Sequence, residues 1–142
     1  MLGECNLWPR AKSMTFSERL AEVFDRGLSK GEEALSPSDR ELFRIQDFII
    51  EYEMGGLTTY FYNRLPDLDR IHAAVNAMRM HGLAELSVLL REAANLFHGY
   101  TDPDPPTTWG EVCQLYDPSG RLEELDVRIG ALDNYGLSEV SH

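Results

Sequence analysis

The segment EYEMGGLTTYFYN, residues 51–63, decides the fold, because two adjacent glycines are followed, after three residues, by three adjacent aromatic residues. Glycine reaches the left-handed backbone conformation that ends many helices at no steric cost. We therefore predict that a helix ends at Gly55 and that Gly56 lets the chain reverse tightly. The residues after the glycines predict a short helix or turn.

The aromatic run after the glycines predicts a packing role more strongly than a binding role. Adjacent rings at Tyr60 and Phe61 point in different directions, so at least one can fill the gap between the long helix and the helices that follow. Aromatic residues near a helix junction usually belong to the core. We expect Asn63 to cap or bracket the turn.

The chain before the glycines carries the signals of one long helix. Ser36 is a typical N-cap residue, and Pro37 follows at the first helical position, where its missing N–H costs nothing. Leu42, Ile45 and Ile49 continue an apolar stripe at helical spacing, which other apolar residues broaden. A helix with this pattern is expected at the centre of the fold.

Two further helices carry capping boxes, in which a side chain at each end of the first turn bonds to the backbone of the other. Thr15 and Glu18 start the first helix of the chain, and Gly27 is its predicted stop. Thr108 and Glu111 start a short helix after a proline-rich surface loop.

Helical periodicity also runs through residues 67–80, 83–97 and 119–136. The first two are joined by only two residues, which predicts an antiparallel hairpin. No alternation of apolar and polar residues persists long enough to predict a strand. The sequence therefore predicts an all-α, single-domain bundle of about six or seven helices, with a central long helix and a helical hairpin.

The length of 142 residues and the 43% apolar content suit one domain with a real core. We assign residues 1–14 to a loose lead-in and residues 15–142 to the domain. No apolar run is long enough to span a membrane, and no secretory signal is evident. Cys5 and Cys113 lie too far apart for a metal motif, which favours a reducing cytoplasm.

Acidity is the unusual bulk property, because 24 acidic and 13 basic residues give a net charge of −11. The charge argues against direct nucleic-acid binding and against adsorption to anionic membranes, since both need basic residues. The charge is uneven: residues 99–142 hold nine acids and two bases, a balance of −7. This distribution indicates a positively charged partner, or acidity that only keeps the protein soluble.

The candidate partner-binding residues are carboxylates near the C-terminus. They are Asp102, Asp104, Asp117, Glu123, Glu124, Asp126 and Asp133. Glu123, Asp126 and Asp133 are predicted to form a row of about 15 Å on one face of the last helix. Such a row could imitate several phosphates of duplex DNA. The alternative is a solvated helix face.

We predict no catalytic residues, cofactor or metal. The histidines form no ligand pair on one helical face, and Cys113 is interpreted as a small buried apolar residue. Asp102 and Asp104 supply too few oxygen atoms for calcium. The alternative function is a small hydrolase or ligand-binding domain with a pocket near residues 55–63. A deep pocket holding His72 or His81 beside a carboxylate would favour it.

The segments LSPSDRELF, IIEYEMGGLTTYFYN and AAVNAMRMHGLAELSVLLREAANLF resemble an all-helical family long labelled a domain of unknown function. The resemblance covers about residues 34–135 and rests on the glycine–aromatic turn followed by a helical hairpin. Met54 replaces a usual Asn and Leu57 a usual Phe, which affects local turn chemistry more than the fold. The family includes an acidic DNA mimic that presents carboxylates to a transcription factor.

The resemblance and the charge together predict a non-catalytic, acidic protein-interaction domain that mimics DNA. The implied partner is a DNA-binding protein such as a transcription factor. An inhibitor that plugs a basic active site is a further alternative, which the sequence does not separate from a mimic. The predicted bundle has more apolar helix faces than a small monomer needs, so homodimerisation is a further alternative.

Overall fold

The computed structural model describes residues 14–140, and this range consists of helices, turns and loops without a β-strand. It contains six α-helices: α1 (Phe16–Lys30), α2 (Pro37–Arg64), α3 (Leu68–Met80), α4 (Ala84–Leu96), α5 (Trp109–Tyr116) and α6 (Arg121–Gly130). Two 3-10 helices, Glu32–Ala34 and Asp133–Glu139, follow α1 and α6. The prediction of a single all-α domain is confirmed. The division from a lead-in at residues 1–14 falls almost wholly outside the described residues and stays a prediction.

The long helix α2 folds back on itself at the two glycines. Arg64 donates a hydrogen bond of 2.6 Å to Asp47, although 17 residues of straight helix would separate them by about 25 Å. The predicted reversal is confirmed, but the positive φ belongs to Gly56 (φ 72°, ψ −163°). Gly55 is extended at φ −170°, so its predicted left-handed cap is wrong.

The rings after the turn fill the core, as predicted. Tyr60 and Phe61 are 1% and 0% exposed. The Tyr60 ring meets the Phe48 ring edge-on with centroids 4.9 Å apart, and Phe61 stacks on Phe97 at 4.9 Å. Burial raises the pKa of Tyr60. The Asn63 side chain donates a 2.7 Å hydrogen bond to Glu51 in the first half of α2, which brackets the turn.

The start of α1 is predicted correctly, but its end is not. Thr15 and Glu18 form both bonds of the capping box. The helix continues through Gly27 to Lys30, and Gly31, with φ 95°, follows it. Gly27 is instead a contact residue, because a Cβ there would lie 2.5 Å from the Phe43 ring.

The central helices agree with their sequence signals. Ser36 accepts a hydrogen bond from the Asp39 N–H, and Pro37 begins α2. A three-residue turn joins α3 to α4, which confirms the hairpin. Their apolar stripes enter one core, to which Ile71, Met78, Leu86 and Leu90 belong. Within residues 14–140, no helix combines the length and the hydropathy needed to cross a bilayer.

Two predictions for the C-terminal part are wrong. Thr108 precedes α5, but its side chain accepts no capping bond, so the second capping box with Glu111 does not form. The last helix does not reach residue 136, because α6 ends at Gly130. Asn134 and Tyr135 have positive φ values of 50° and 59°, which are incompatible with a continuing α-helix.

We expect the substitution Gly56→Ala to lower the free energy of unfolding by about 2–4 kcal/mol. The backbone at Gly56 lies in a region almost restricted to glycine, and a Cβ would lie 2.6 Å from the Asp126 carboxylate. Urea denaturation followed by circular dichroism measures the change.

Gly110→Ala is the matched control for this prediction. A Cβ at Gly110 meets no atom within 4 Å, so alanine should raise the stability of α5 by up to about 1 kcal/mol. A loss below about 1 kcal/mol for Gly56→Ala would contradict the constraint at the turn.

Candidate functional site

Two open clefts flank α5, and both contain predicted partner-binding carboxylates. The first lies between the glycine turn and α6 and has a volume of about 400 Å³. We name it the turn cleft, and its lining residues are Leu57, Thr58, Cys113, Asp117, Gly120, Leu122, Glu123 and Asp126. Residues just after the glycine turn and residues about 60 positions later in the sequence therefore form this cleft together.

Asp126 connects α6 to the glycine turn. Its Oδ1 accepts a 2.6 Å hydrogen bond from the N–H of Leu57, the first residue after the turn. Its main-chain carbonyl accepts a 2.7 Å hydrogen bond from the Tyr52 hydroxyl. Burial, together with the Asp126 charge, raises the pKa of Tyr52. The Asp126 carboxylate thus joins α6 to the glycine turn and also lines the turn cleft.

Asp117 is 8% exposed and caps α6. Its two carboxylate oxygens accept hydrogen bonds of 2.7 Å from the Arg121 N–H and 3.0 Å from the Leu122 N–H. These are first-turn donors, which have no partner within the helix. Asp117 therefore presents little carboxylate to a partner, although the sequence placed it among the binding residues.

Glu123 and Glu124 are sequence neighbours with different surroundings. Glu123 is exposed and lines the turn cleft three residues before Asp126, on the same face of α6. Glu124 accepts a 3.1 Å hydrogen bond from Arg121, which also binds Glu92 at 2.7 Å. These two carboxylates raise the pKa of Arg121. Glu124 therefore shares the single Arg121 guanidinium with Glu92 and is exposed.

Cys113 contributes a thiol to the turn cleft from α5. The residue is partly buried, and burial, followed by the nearby Asp117 charge, raises its pKa. The thiol consequently stays protonated at neutral pH, which makes it a poor nucleophile. The prediction that Cys113 is a small buried apolar residue is wrong about its burial, because the side chain is only partly buried and lines the cleft.

The second cleft, which we name the loop cleft, lies on the other side of α5 and has a volume of about 310 Å³. Its lining residues are Tyr100, Asp102, Asp104, Pro105, Pro106, Thr107, Thr108, Glu111, Val112, Leu115 and Tyr116. Asp102 accepts a 3.0 Å hydrogen bond from the Asp104 N–H, which shapes the loop. Leu115 is 76% exposed on the α5 surface. Glu111 and Leu115 were not among the predicted site residues.

Asp133 lies apart from both clefts. It lines a third, smaller depression with Glu85 and Tyr135. The predicted single row of Glu123, Asp126 and Asp133 along one helix is wrong, because α6 ends before Asp133. Only Glu123 and Asp126 share a helical face.

Several acids in the first part of the chain are paired with arginines. The pairs are Arg19 and Arg26 with Asp39, Arg44 and Arg70 with Glu32, and Arg64 with Asp47. The lining residues of the turn cleft and the loop cleft include carboxylates and no arginine or lysine. Both clefts therefore carry negative charge that no lining cation balances.

This arrangement defines an all-helical acidic domain with carboxylate-lined clefts on one part of its surface. The family model of the DMP19-like proteins matches residues 33–139, and the chain belongs to this family. The match confirms the resemblance to a DNA-mimic family that the sequence motifs suggested. No curated protein and no solved structure matches the chain.

We expect Asp117→Ala to lower the free energy of unfolding by about 1–2 kcal/mol, because two backbone donors at the start of α6 lose their acceptor. Glu124→Ala removes an exposed ion pair and should change stability by less than about 0.5 kcal/mol. Urea denaturation of both variants tests the contrast, and equal losses would refute a capping role for Asp117.

Proposed function

We propose that this protein is a non-catalytic, acidic interaction domain that mimics DNA and occupies the basic surface of a DNA-binding protein. The observation that carries the proposal is that residues 99–142 have a net charge of −7, and six of their nine acids line two clefts whose linings include no basic side chain. Membership of the DMP19-like family supports the same function.

The proposed contact surface consists of the carboxylates that remain accessible around α5 and α6. They are Asp102, Asp104, Glu123, Asp126 and Asp133. Asp117 and Glu124 lie outside this surface in our proposal, because the first is buried and the second is paired with Arg121. The accessible carboxylates would meet the lysines and arginines with which the partner otherwise contacts phosphates.

Electrostatic attraction would act both at long range, during the encounter, and at short range, within the complex. The net negative field speeds the encounter with a basic protein. At physiological salt the Debye length is about 8 Å, so only carboxylates near the contact add to the affinity of the complex. Binding of this kind weakens as the salt concentration rises. We place it in the cytoplasm, as the sequence favours.

The chemistry of the described side chains favours binding over catalysis. The Cys113 thiol in the turn cleft has a raised pKa, which opposes its use as a nucleophile. His81 is engaged at the α3–α4 turn, where its Nε2 lies 2.9 Å from the Glu41 Oε1 and its ring stacks on Phe16. It is not among the residues that line the turn cleft or the loop cleft.

Capture from a cell lysate at low salt, followed by a salt step and mass spectrometry, would identify the partner. We expect a DNA-binding protein that duplex DNA displaces from the immobilised domain. The triple variant Asp104→Lys, Glu123→Lys, Asp133→Lys should weaken this complex at least about 100-fold, if each reversed contact costs about 1 kcal/mol or more. Isothermal titration calorimetry at two salt concentrations measures the loss of affinity.

The control is a triple reversal that changes the net charge by the same amount at exposed acids elsewhere. Asp25, Glu33 and Asp69 suit this purpose, since each is exposed and lies in the first half of the chain. We expect this variant to retain affinity within about threefold. Equal losses from both variants, or a complex that duplex DNA does not displace, would contradict mimicry. Light scattering on the same samples gives the oligomeric state.

A further inference from the structure

We propose that the turn cleft is a receptor for one arginine side chain of the basic partner. The inference rests on the proposed function for the nature of the partner, but it concerns a specific groove and a specific side chain. The volume of the turn cleft, about 400 Å³, falls within the usual range of small-ligand sites. The cleft can therefore admit a complete side chain together with part of its backbone.

The walls of the turn cleft match the two chemical parts of an arginine. Leu57, Leu122 and Cys113 provide an apolar lining for the aliphatic stem. Glu123 and Asp126 provide carboxylates for the charged end. Because no arginine or lysine is among the lining residues, a cation that enters meets attraction from its surroundings.

The Asp126 carboxylate is already fixed in place. The Leu57 N–H holds its Oδ1 at 2.6 Å, and the Tyr52 hydroxyl holds the main chain of the same residue at 2.7 Å. A carboxylate that is held in this way loses little conformational entropy when a ligand binds. Glu123, which is exposed and three residues earlier on α6, can move to complete the contact.

Arginine fits this cleft better than lysine. A guanidinium group carries five donors in a planar fork and can bond to two carboxylates at once. It is also less strongly hydrated than an ammonium group, so its transfer next to Leu57, Leu122 and Cys113 costs less. We therefore assign the cleft to arginine, and a lysine preference is an outcome that would overturn the assignment.

The test uses the full chain and a short neutral peptide with one central arginine, titrated by ¹H–¹⁵N NMR. We expect shifts concentrated at the amides of Leu57, Thr58, Cys113 and Gly120. The same peptide with citrulline should produce none of them, because citrulline keeps the shape of arginine without its charge. The lysine peptide should bind at least about threefold more weakly.

Glu123→Gln and Glu124→Gln form the decisive pair of variants. Both remove one negative charge from adjacent residues of α6, but only Glu123 lines the cleft. We expect Glu123→Gln to weaken the arginine peptide about fivefold or more, and Glu124→Gln to leave its affinity within twofold. Neither residue is buried, so both variants should fold.

The reactivity of Cys113 supplies a second readout in a Cys5→Ser background. A bound arginine peptide should slow the reaction of the Cys113 thiol with a chromogenic disulfide reagent. Equal effects of the two glutamine variants, shifts spread over the whole acidic surface, or a thiol that stays fully reactive would overturn the cleft assignment. The salt-sensitive, DNA-displaceable complex of the proposed function could survive all three results, so the two proposals fail separately.

Discussion

The hydrogen bond from the Leu57 N–H to the Asp126 carboxylate links the two halves of the domain across 69 positions of the chain. It satisfies a donor that the reversal in α2 exposes at the start of the returning helix. It also fixes α6 against the turn, where a glycine at position 56 leaves the necessary space. The orientation of α6, and with it the shape of the turn cleft, depends on this contact.

Some carboxylates of the acidic region therefore also form hydrogen bonds that stabilise the fold. Asp117 and Asp126 appear in the sequence as two more negative charges, yet both accept backbone hydrogen bonds that position α6 and the turn. Negative charge at these positions has a structural cause, which removes part of the apparent evidence for a partner. The excess that remains at Asp104, Glu123 and Asp133 has no such explanation among the described contacts, and it carries the functional argument.

Local signals predicted much of the fold, because they act within a few residues. The N-cap of α2, the capping box of α1 and the α3–α4 hairpin all follow from neighbouring residues. Some failures involve contacts between distant segments, as where Gly27 packs on Phe43 and Asp126 bonds to Leu57. Others are local, because Thr108 forms no capping bond and the last helix ends at Gly130. The sequence located the acidic region correctly, but only the fold divides its carboxylates between structural bonds and open clefts.

The short helix α5 separates the two clefts and has no fully buried residue. Ring contacts attach it to the core, from Trp109 to Tyr62 and from Trp109 and Tyr116 to Phe97. An element that buries so little surface has a low free energy of local opening. The wall between the clefts is thus held mainly by aromatic rings, so its position depends on Trp109 and Tyr116.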